Sequence, residues 1–369
     1  MRVAVVRREF RSHGGAERVA ARVVAELRKA GIEVSVVAHR WEELPPGVVV
    51  RRVPLPPVPK PIQLLLFALL APRVARAAGD VVHSFDRIMA QDIYRAGEGV
   101  HREWLARRRR HLPRHETLLD PLRPLHRIIL AIERRIFEKG ARILVANSRQ
   151  VAVEIRRHYR PTAPIEVTRT GVDLDAFHPE RRRALRATAR ERFGLGDETA
   201  FLFMGSGFRR KGLGPLLVAL TGIQGPFRLL VVGAGRVGPY RRLAAAMGVA
   251  DRVSFLGLLD EPLPAYAAAD AFVLPSLYDP AANTCLEAMA TGLPVVTTAA
   301  NGSAELIDSG RSGWVVEEPT DFQRLAVCLA TLLNPERRET MGACGRRAVE
   351  AYPWSRHMEE VLAVYARLR

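Results

Sequence analysis

Apolar positions in this chain gather into short continuous runs separated by longer mixed stretches, the pattern of buried parallel strands alternating with helices. Residues 3–6 are short, β-branched and bounded by polar residues, and read as a first strand. Ser12-His13-Gly14-Gly15 follows, then a helix over about 16–30 ended by Gly31, and a second strand over 32–38. Strand, glycine turn, helix and strand in this order make a βαβ unit and open a doubly wound domain. Residues 80–84 and 143–148 read as later strands with polar groups at their C-terminal ends, the ends that face the ligand crevice in open α/β sheets. Between them, 102–135 reads as an irregular Arg-rich segment broken near Pro113 and Pro124. A turn at Thr170-Gly171-Val172-Asp173 places a linker near 168–179.

A second α/β pattern begins with a strand at 200–204 and a basic glycine loop, Gly205-Ser206-Gly207-Phe208-Arg209-Arg210-Lys211-Gly212. A helix over 213–220, a strand over 227–232 and the turn Gly233-Ala234-Gly235 come next. Strands at 253–256, 271–274 and 295–298 complete the predicted set. The fold class is therefore α/β, with two Rossmann-like domains, 1–170 and 171–353, facing each other across a cleft. A helix over 354–369 is expected to pack back on the first domain.

A chain of 369 residues fits two domains better than one core, and 48% apolar residues exclude a disordered chain. The three cysteines have no metal-ligand spacing and read as small buried apolar residues in a reducing compartment. The apolar run 62–72 is about half of what a membrane-spanning helix needs, and MRVAVVRREF is a short strand running into charge, so a soluble or membrane-peripheral chain without a secretory leader is expected. Charge is uneven: residues 1–178 hold 33 Lys and Arg against 19 Asp and Glu, and the remainder holds 23 against 20. This asymmetry points to an anionic partner for the N-terminal half: nucleic acid, an anionic membrane surface or a phosphorylated substrate.

The run Ala269-Asp270-Ala271-Phe272-Val273-Leu274-Pro275-Ser276, then Asp279, then Leu286-Glu287-Ala288-Met289-Ala290-Thr291-Gly292-Leu293-Pro294-Val295-Val296, resembles the family 4 glycosyltransferases of the GT-B fold. Thr170-Gly171-Val172-Asp173 with Phe177-His178-Pro179, and Asn301-Gly302 with Glu305-Leu306-Ile307, carry the same resemblance through nearly all of the C-terminal half. In the N-terminal half, Gln91-Asp92-Ile93-Tyr94-Arg95-Ala96-Gly97-Glu98-Gly99 and the basic segment after it look most like lipopolysaccharide core α-glucosyltransferases.

The resemblance implies transfer of a hexose, glucose from UDP-glucose in the first instance, to a glycolipid or phosphorylated glycan acceptor with retention of anomeric configuration. Cleavage of a sugar–diphosphate bond builds negative charge that cationic side chains and helix N-termini can hold. Arg210 and Lys211, after a glycine turn at a strand's C-terminal end, suit that task, and Arg209 could substitute. Asn283, Thr284 and Cys285, read as preceding a helix, would offer backbone N–H groups to the diphosphate. By resemblance Glu287, placed in the first helical turn, binds the ribose hydroxyls, and Asp279 contacts the transferred sugar where the family usually has glutamate.

The same resemblance sets Gly14 and Gly15 over the donor phosphates, and gives Glu98 the acceptor hydroxyl or the donor sugar, against a plain solvated carboxylate; His101 is a minor candidate near the cleft. Arg102, Trp104 and Arg107-Arg108-Arg109-Arg110 form a cationic cluster for anionic lipid headgroups or acceptor phosphate. The donor nucleotide sugar is a substrate; no cofactor, no metal and no nucleic-acid partner is expected. The location expected is cytoplasmic, peripheral on the inner face of the cell membrane. A basic nucleic-acid-binding protein, a sugar-nucleotide epimerase or phosphorylase, and transfer of another hexose or N-acetylhexosamine are the rival readings.

Overall fold

A computed structural model describes residues 1–10, 14–42 and 44–368. Ser12 and His13 of the first glycine turn lie outside the described residues. The chain divides into two compact units, Met1–Thr170 with Ser355–Arg369, and Gly171–Trp354.

The first unit is built on a seven-stranded parallel sheet in the order Val49–Arg52, Glu33–Ala38, Arg2–Val6, Val81–Ser84, Ile93–Arg95, Ile143–Ala146, Ile165–Val167. The central strands are buried on both faces, as the apolar runs of Arg2–Val6 and Ile143–Ala146 require; Val81–Ser84 buries His83 and Ser84 as well. The helix Gly15–Lys29 buries Val19, Ala20, Val23, Val24 and Leu27, a stripe at helical spacing. The helix Lys60–Ala78 runs well past the apolar stretch 62–72; its length and composition would suffice to cross a membrane. Phe67, Ala68, Ala71 and Ala75 on this helix are nevertheless buried in the unit's core, while Ile62 and Leu69 are exposed.

The segment 102–135 is helical rather than irregular. Helices His101–His111 and Pro124–Arg135 bracket a short turn of helix, Arg114–Thr117. The two prolines do not break these elements but start them: Pro113 is the N-cap residue of Arg114–Thr117, and Pro124 is the first residue of its helix, where a missing N–H costs nothing. The C-terminal helix Trp354–Ala366 places the Tyr365 hydroxyl 2.8 Å from His83 Nδ1, and Arg367 beside Glu166.

The second unit holds a six-stranded parallel sheet in the order Val253–Gly257, Phe227–Val232, Thr199–Met204, Ala271–Leu274, Val295–Thr298, Gly313–Val316. The last of these was not anticipated. Asp270, just ahead of Ala271–Leu274, ties the N-terminal ends of the two central strands to a helix: its carboxylate accepts from Ala200 N at 2.8 Å, Arg186 at 2.7 Å and Arg190 at 3.2 Å, the two arginines lying on the helix Pro179–Arg192. Asp270→Ala would leave two partly buried guanidinium groups without their anion and cost about 3 kcal/mol. A denaturation midpoint lowered accordingly, with faster hydrogen exchange at the Ala200 amide, is the expected result; an unchanged midpoint would show the clamp to be idle.

Candidate functional site

In the second unit the sheet order reverses between Thr199–Met204 and Ala271–Leu274, because the next strand in sequence, Phe227–Val232, lies on the other side of Thr199–Met204. Such a switch point leaves a crevice beyond the carboxyl ends of its two strands. The basic glycine loop leaves the first strand and the segment 275–282 leaves the second. They are tied together where Leu277 N donates to the Arg210 carbonyl at 2.9 Å. Gly212 allows this approach: its φ is +81°, and a Cβ there would sit 1.8 Å from the Pro275 carbonyl oxygen.

Across this junction the Lys211 ammonium and the Asp279 carboxylate form a largely buried ion pair. Arg210, on the same loop, has no carboxylate partner among the described residues and is partly exposed. Asp279 is held by its backbone, with its N–H donating to Ala300 O and its carbonyl accepting from Gly302 N, both at 2.9 Å. Asn301 fixes the next turn. Its Oδ1 accepts from Ala282 N at 3.2 Å and Ser303 N at 3.1 Å, and its Nδ2 donates to Thr297 Oγ1 at 3.0 Å and weakly to Cys285 Sγ at 3.4 Å.

Ala282 is the N-cap of the helix Asn283–Ala290, so Asn283, Thr284 and Cys285 lie inside its first turn, not before it, and Glu287 is its fifth residue rather than part of that turn. This start is tighter than the sequence implies, because Asn301 draws Ala282 back toward the sheet. Cys285 is corrected further. Its N–H is taken by Ala282 O at 3.0 Å, and its side chain is fully buried, with burial pushing the thiol up to about 12. It is a core residue and offers no group to an anion. Thr284 Oγ1 is buried without a hydrogen-bond partner among the described residues. Glu287 Oε2 accepts from the Tyr266 hydroxyl at 2.8 Å, and the carboxylate has no cationic partner among the described residues.

The first unit has its own switch point, between Arg2–Val6 and Val81–Ser84. A ladder of alternating charges stands beyond these strand ends. Arg7 reaches Glu17 at 2.8 Å and Glu98 at 3.4 Å; Arg87 reaches Glu98 at 2.5 Å and Glu133 at 3.1 Å. Glu133 is fully buried and also accepts from His101 N at 2.7 Å and Tyr159 Oη at 3.0 Å. Gly14 N-caps the helix that carries Gly15 and Glu17, and a Cβ on Gly14 would sit 2.1 Å from Glu17 Oε2. Glu98 remains 43% exposed at the side chain, the one acid of this ladder open to a ligand. His101 Nε2 lies 2.9 Å from His126 Nδ1, and burial, with Arg87 adding to it, pushes its pKa down to about 3, so the ring is neutral.

The basic cluster is less free than its sequence implies. Arg107 is bound by Glu103 at 2.8 Å and Glu154 at 3.7 Å; Arg108 is bound by Asp120 at 2.8 Å and lies over the Trp104 ring. Arg102, Arg109 and Arg110 are exposed. The triplet Asp173-Leu174-Asp175 lies in a turn in which Asp173 Oδ1 accepts from Ala176 N at 2.9 Å.

The structure thus joins Lys211, Asp279, Asn283, Thr284 and Glu287, with Arg210, in one unit, and Gly14, Gly15, Glu98 and His101 in the other. Asn301 and Tyr266 are additions. Asn301 stands in a motif that the sequence displayed without a role, whereas nothing in the sequence links Tyr266 to Glu287.

Two doubly wound parallel units of this kind define the GT-B class of glycosyltransferase fold. Models described as "Glycosyltransferase Family 4" and "Glycosyl transferases group 1" match residues 13–176 and 198–335. A D-inositol 3-phosphate glycosyltransferase of Geodermatophilus obscurus is 31% identical over 400 residues, covering 95% of this chain and 84% of that one. The chain belongs to the family 4 glycosyltransferases. It is also similar to the lipopolysaccharide glucosyltransferase WaaG of Escherichia coli, 27% identical over 332 residues, covering 87% of this chain and 86% of that one. In fold it matches a crystal structure of WaaG, a glycosyltransferase involved in lipopolysaccharide biosynthesis, with a TM-score of 0.83 over 97% of this chain and 98% of the other at 24% identity.

Asn301→Ala would free Ala282 N, Ser303 N and Thr297 Oγ1 together, at a cost of about 1–3 kcal/mol. Loss of protection at the Ala282 amide ahead of global unfolding is the expected signature. Undisturbed protection there would mean that Asn301 does not set the helix start.

Proposed function

We propose that this enzyme transfers glucose from UDP-glucose, with retention of configuration and without a divalent metal, to a lipopolysaccharide core or related glycolipid acceptor. The observation that carries the reading is the meeting of Lys211, Asp279 and the N-terminus of the Glu287 helix at one switch point. Arg210 and Lys211 hold the diphosphate, aided by the helix N-terminus and the unpartnered Thr284 hydroxyl. Tyr266 turns the Glu287 carboxylate so that its other oxygen accepts from the ribose hydroxyls. Asp279, anchored by Lys211, faces the transferred sugar. The leaving phosphate oxygen takes the acceptor proton, so no protein base is required. Glu98, braced by Arg7 and Arg87, contacts the acceptor hydroxyl or the sugar, with Gly14 and Gly15 near the phosphates. The second unit binds the donor and the first the acceptor. The similarity to a lipopolysaccharide glucosyltransferase supports glucose as the sugar and a glycolipid as the acceptor.

Arg210 supplies a clean test, because among the described residues its side chain makes no hydrogen bond or ion pair. Arg210→Met should leave the melting temperature unchanged and lower kcat/KM by 10²–10³-fold, the scale of roughly 3–4 kcal/mol for one lost preorganised donor. In a panel of nucleotide sugars, UDP-glucose should give the largest thermal stabilisation, and turnover should persist in excess chelator. Full activity in Arg210→Met would overturn the phosphate role. Preference for another nucleotide sugar would reassign the donor, and chelator-sensitive turnover restored by magnesium or manganese would overturn metal independence.

Peripheral attachment to the cytoplasmic membrane face belongs to the same proposal. Leu118, Leu119 and Leu122 are 74%, 55% and 69% exposed, within a segment whose Arg109, Arg110, Arg114 and Arg123 are also exposed. Apolar side chains beside arginines suit an anionic interface, where each basic residue near the surface gains about 1 kcal/mol. Co-sedimentation with vesicles containing phosphatidylglycerol should exceed that with pure phosphatidylcholine and weaken in Leu118→Ser/Leu122→Ser. Equal binding to both vesicles would remove the membrane from the proposal.

A further inference from the structure

The turn Gly233-Ala234-Gly235 leaves the strand Phe227–Val232 beside the basic glycine loop, and the transfer reaction as read above gives it no task. The two loops are bonded to each other. Gly205 N donates to Val232 O at 2.9 Å, Gly207 N to Ala234 O at 3.0 Å, and Ala234 N to Ser206 Oγ at 3.1 Å. Phe208 then turns inward: it is 3% exposed, although Ser206, Gly207 and Arg209 around it are exposed. Its ring stands edge-on to Tyr240 of the helix Val237–Ala246, with centroids 5.6 Å apart, and to Phe203 of the strand Thr199–Met204 at 6.1 Å.

The same ring lies against Gly235. A Cβ there would sit 2.5 Å from Phe208 Cδ2 and 2.7 Å from Cε2, well inside van der Waals contact. The φ of Gly235 lies outside the left-handed region, so the backbone does not demand glycine at this position; the ring does. The cations follow directly in sequence. Phe208 O accepts from Leu213 N at 3.0 Å, Gly207 O from Lys211 N at 3.3 Å and Arg209 O from Gly212 N at 3.2 Å. Arg209, Arg210 and Lys211 therefore form a tight turn between two buried apolar anchors, Phe208 and Leu213.

We infer that Phe208 is a positioning residue: seated on Gly235, its ring holds the turn that presents Arg210 and Lys211 to the diphosphate. The inference rests on the phosphate role proposed above for those two cations and adds the part that aims them. A turn of exposed residues without an anchor must give up backbone freedom when the anion binds, whereas an anchored turn has given it up on folding. The ring is too buried to meet the donor itself, so its effect passes through the two cations.

The test measures, in the full chain, dissociation constants for UDP, which carries the diphosphate, and for uridine, which lacks it. Phe208→Leu keeps an apolar plug without the ring and should weaken UDP about tenfold, within the loss that a small misplacement can cause, while uridine is unchanged. Gly235→Ala, which drives a methyl group into the ring, should do the same. In Gly235→Ala/Phe208→Ala that methyl meets no ring, so the loss should match that of Phe208→Ala alone instead of the sum of the two single losses. Phe208→Leu and Gly235→Ala decide the matter even if Phe208→Ala does not fold. An unchanged UDP constant in Phe208→Leu, equal weakening of UDP and uridine, or additive losses would overturn the inference. Arg210→Met separates the two levels: if it weakens UDP while Phe208→Leu does not, only the positioning role fails, and if neither weakens UDP, the phosphate role has failed with it.

Discussion

A carboxylate buried without water must find its counter-charge inside the protein, and Glu133 shows how much structure that requirement organises. Burial raises its pKa and Arg87 opposes the rise, so ionised Glu133 depends on that one guanidinium more than on any other group. Its remaining acceptor capacity is filled from His101 N and Tyr159 Oη, which lie on different helices or their ends. Arg87 in turn holds Glu98, and Arg7 links Glu98 to Glu17 at the first turn of another helix. Each cation sits between two acids, and each added link fixes a loop that leaves a strand end. A single apolar substitution inside this ladder would leave a charge stranded, which costs far more than one surface pair contributes.

The second unit meets the same need differently. Its pin, Asn301, is neutral, so it satisfies four groups without a counter-ion. An ion pair, Lys211 with Asp279, stands beyond its carboxyl strand ends. That pair is neutral overall, so the positive character of these strand ends rests on Arg210 and on the N-terminus of the helix Asn283–Ala290.

The doubly wound pattern was legible because its central strands are short β-branched runs, and Val3–Val6, Phe227–Val232 and Val295–Thr298 admit little else. The strands Ile93–Arg95 and Ile165–Val167 were not, since three residues with Arg95 or Glu166 among them carry no periodicity. The helices in 102–135 were hidden by arginine density and by two prolines that read as breaks although they stand at helix starts. At the site, Lys211, Asp279 and Glu287 announced themselves through motif order. Their mutual geometry did not, because the Lys211–Asp279 contact spans 68 positions and Tyr266 meets Glu287 only through the packing of two helices.

Net charge was the least transparent signal. Much of the excess in residues 1–178 is consumed inside the fold: Arg7 and Arg87 are counter-ions of buried acids, and Arg107 and Arg108 answer Glu103, Glu154 and Asp120. A sum over the sequence counts such residues as if they faced solvent, although each is cancelled locally and adds nothing to the long-range field. What survives is regional: exposed arginines on and after the helix His101–His111 stand next to the exposed Leu118, Leu119 and Leu122. The net charge of the half-chain therefore overstates the positive surface that this unit presents. The same accounting isolates Arg95, whose buried charge no acid answers among the described residues.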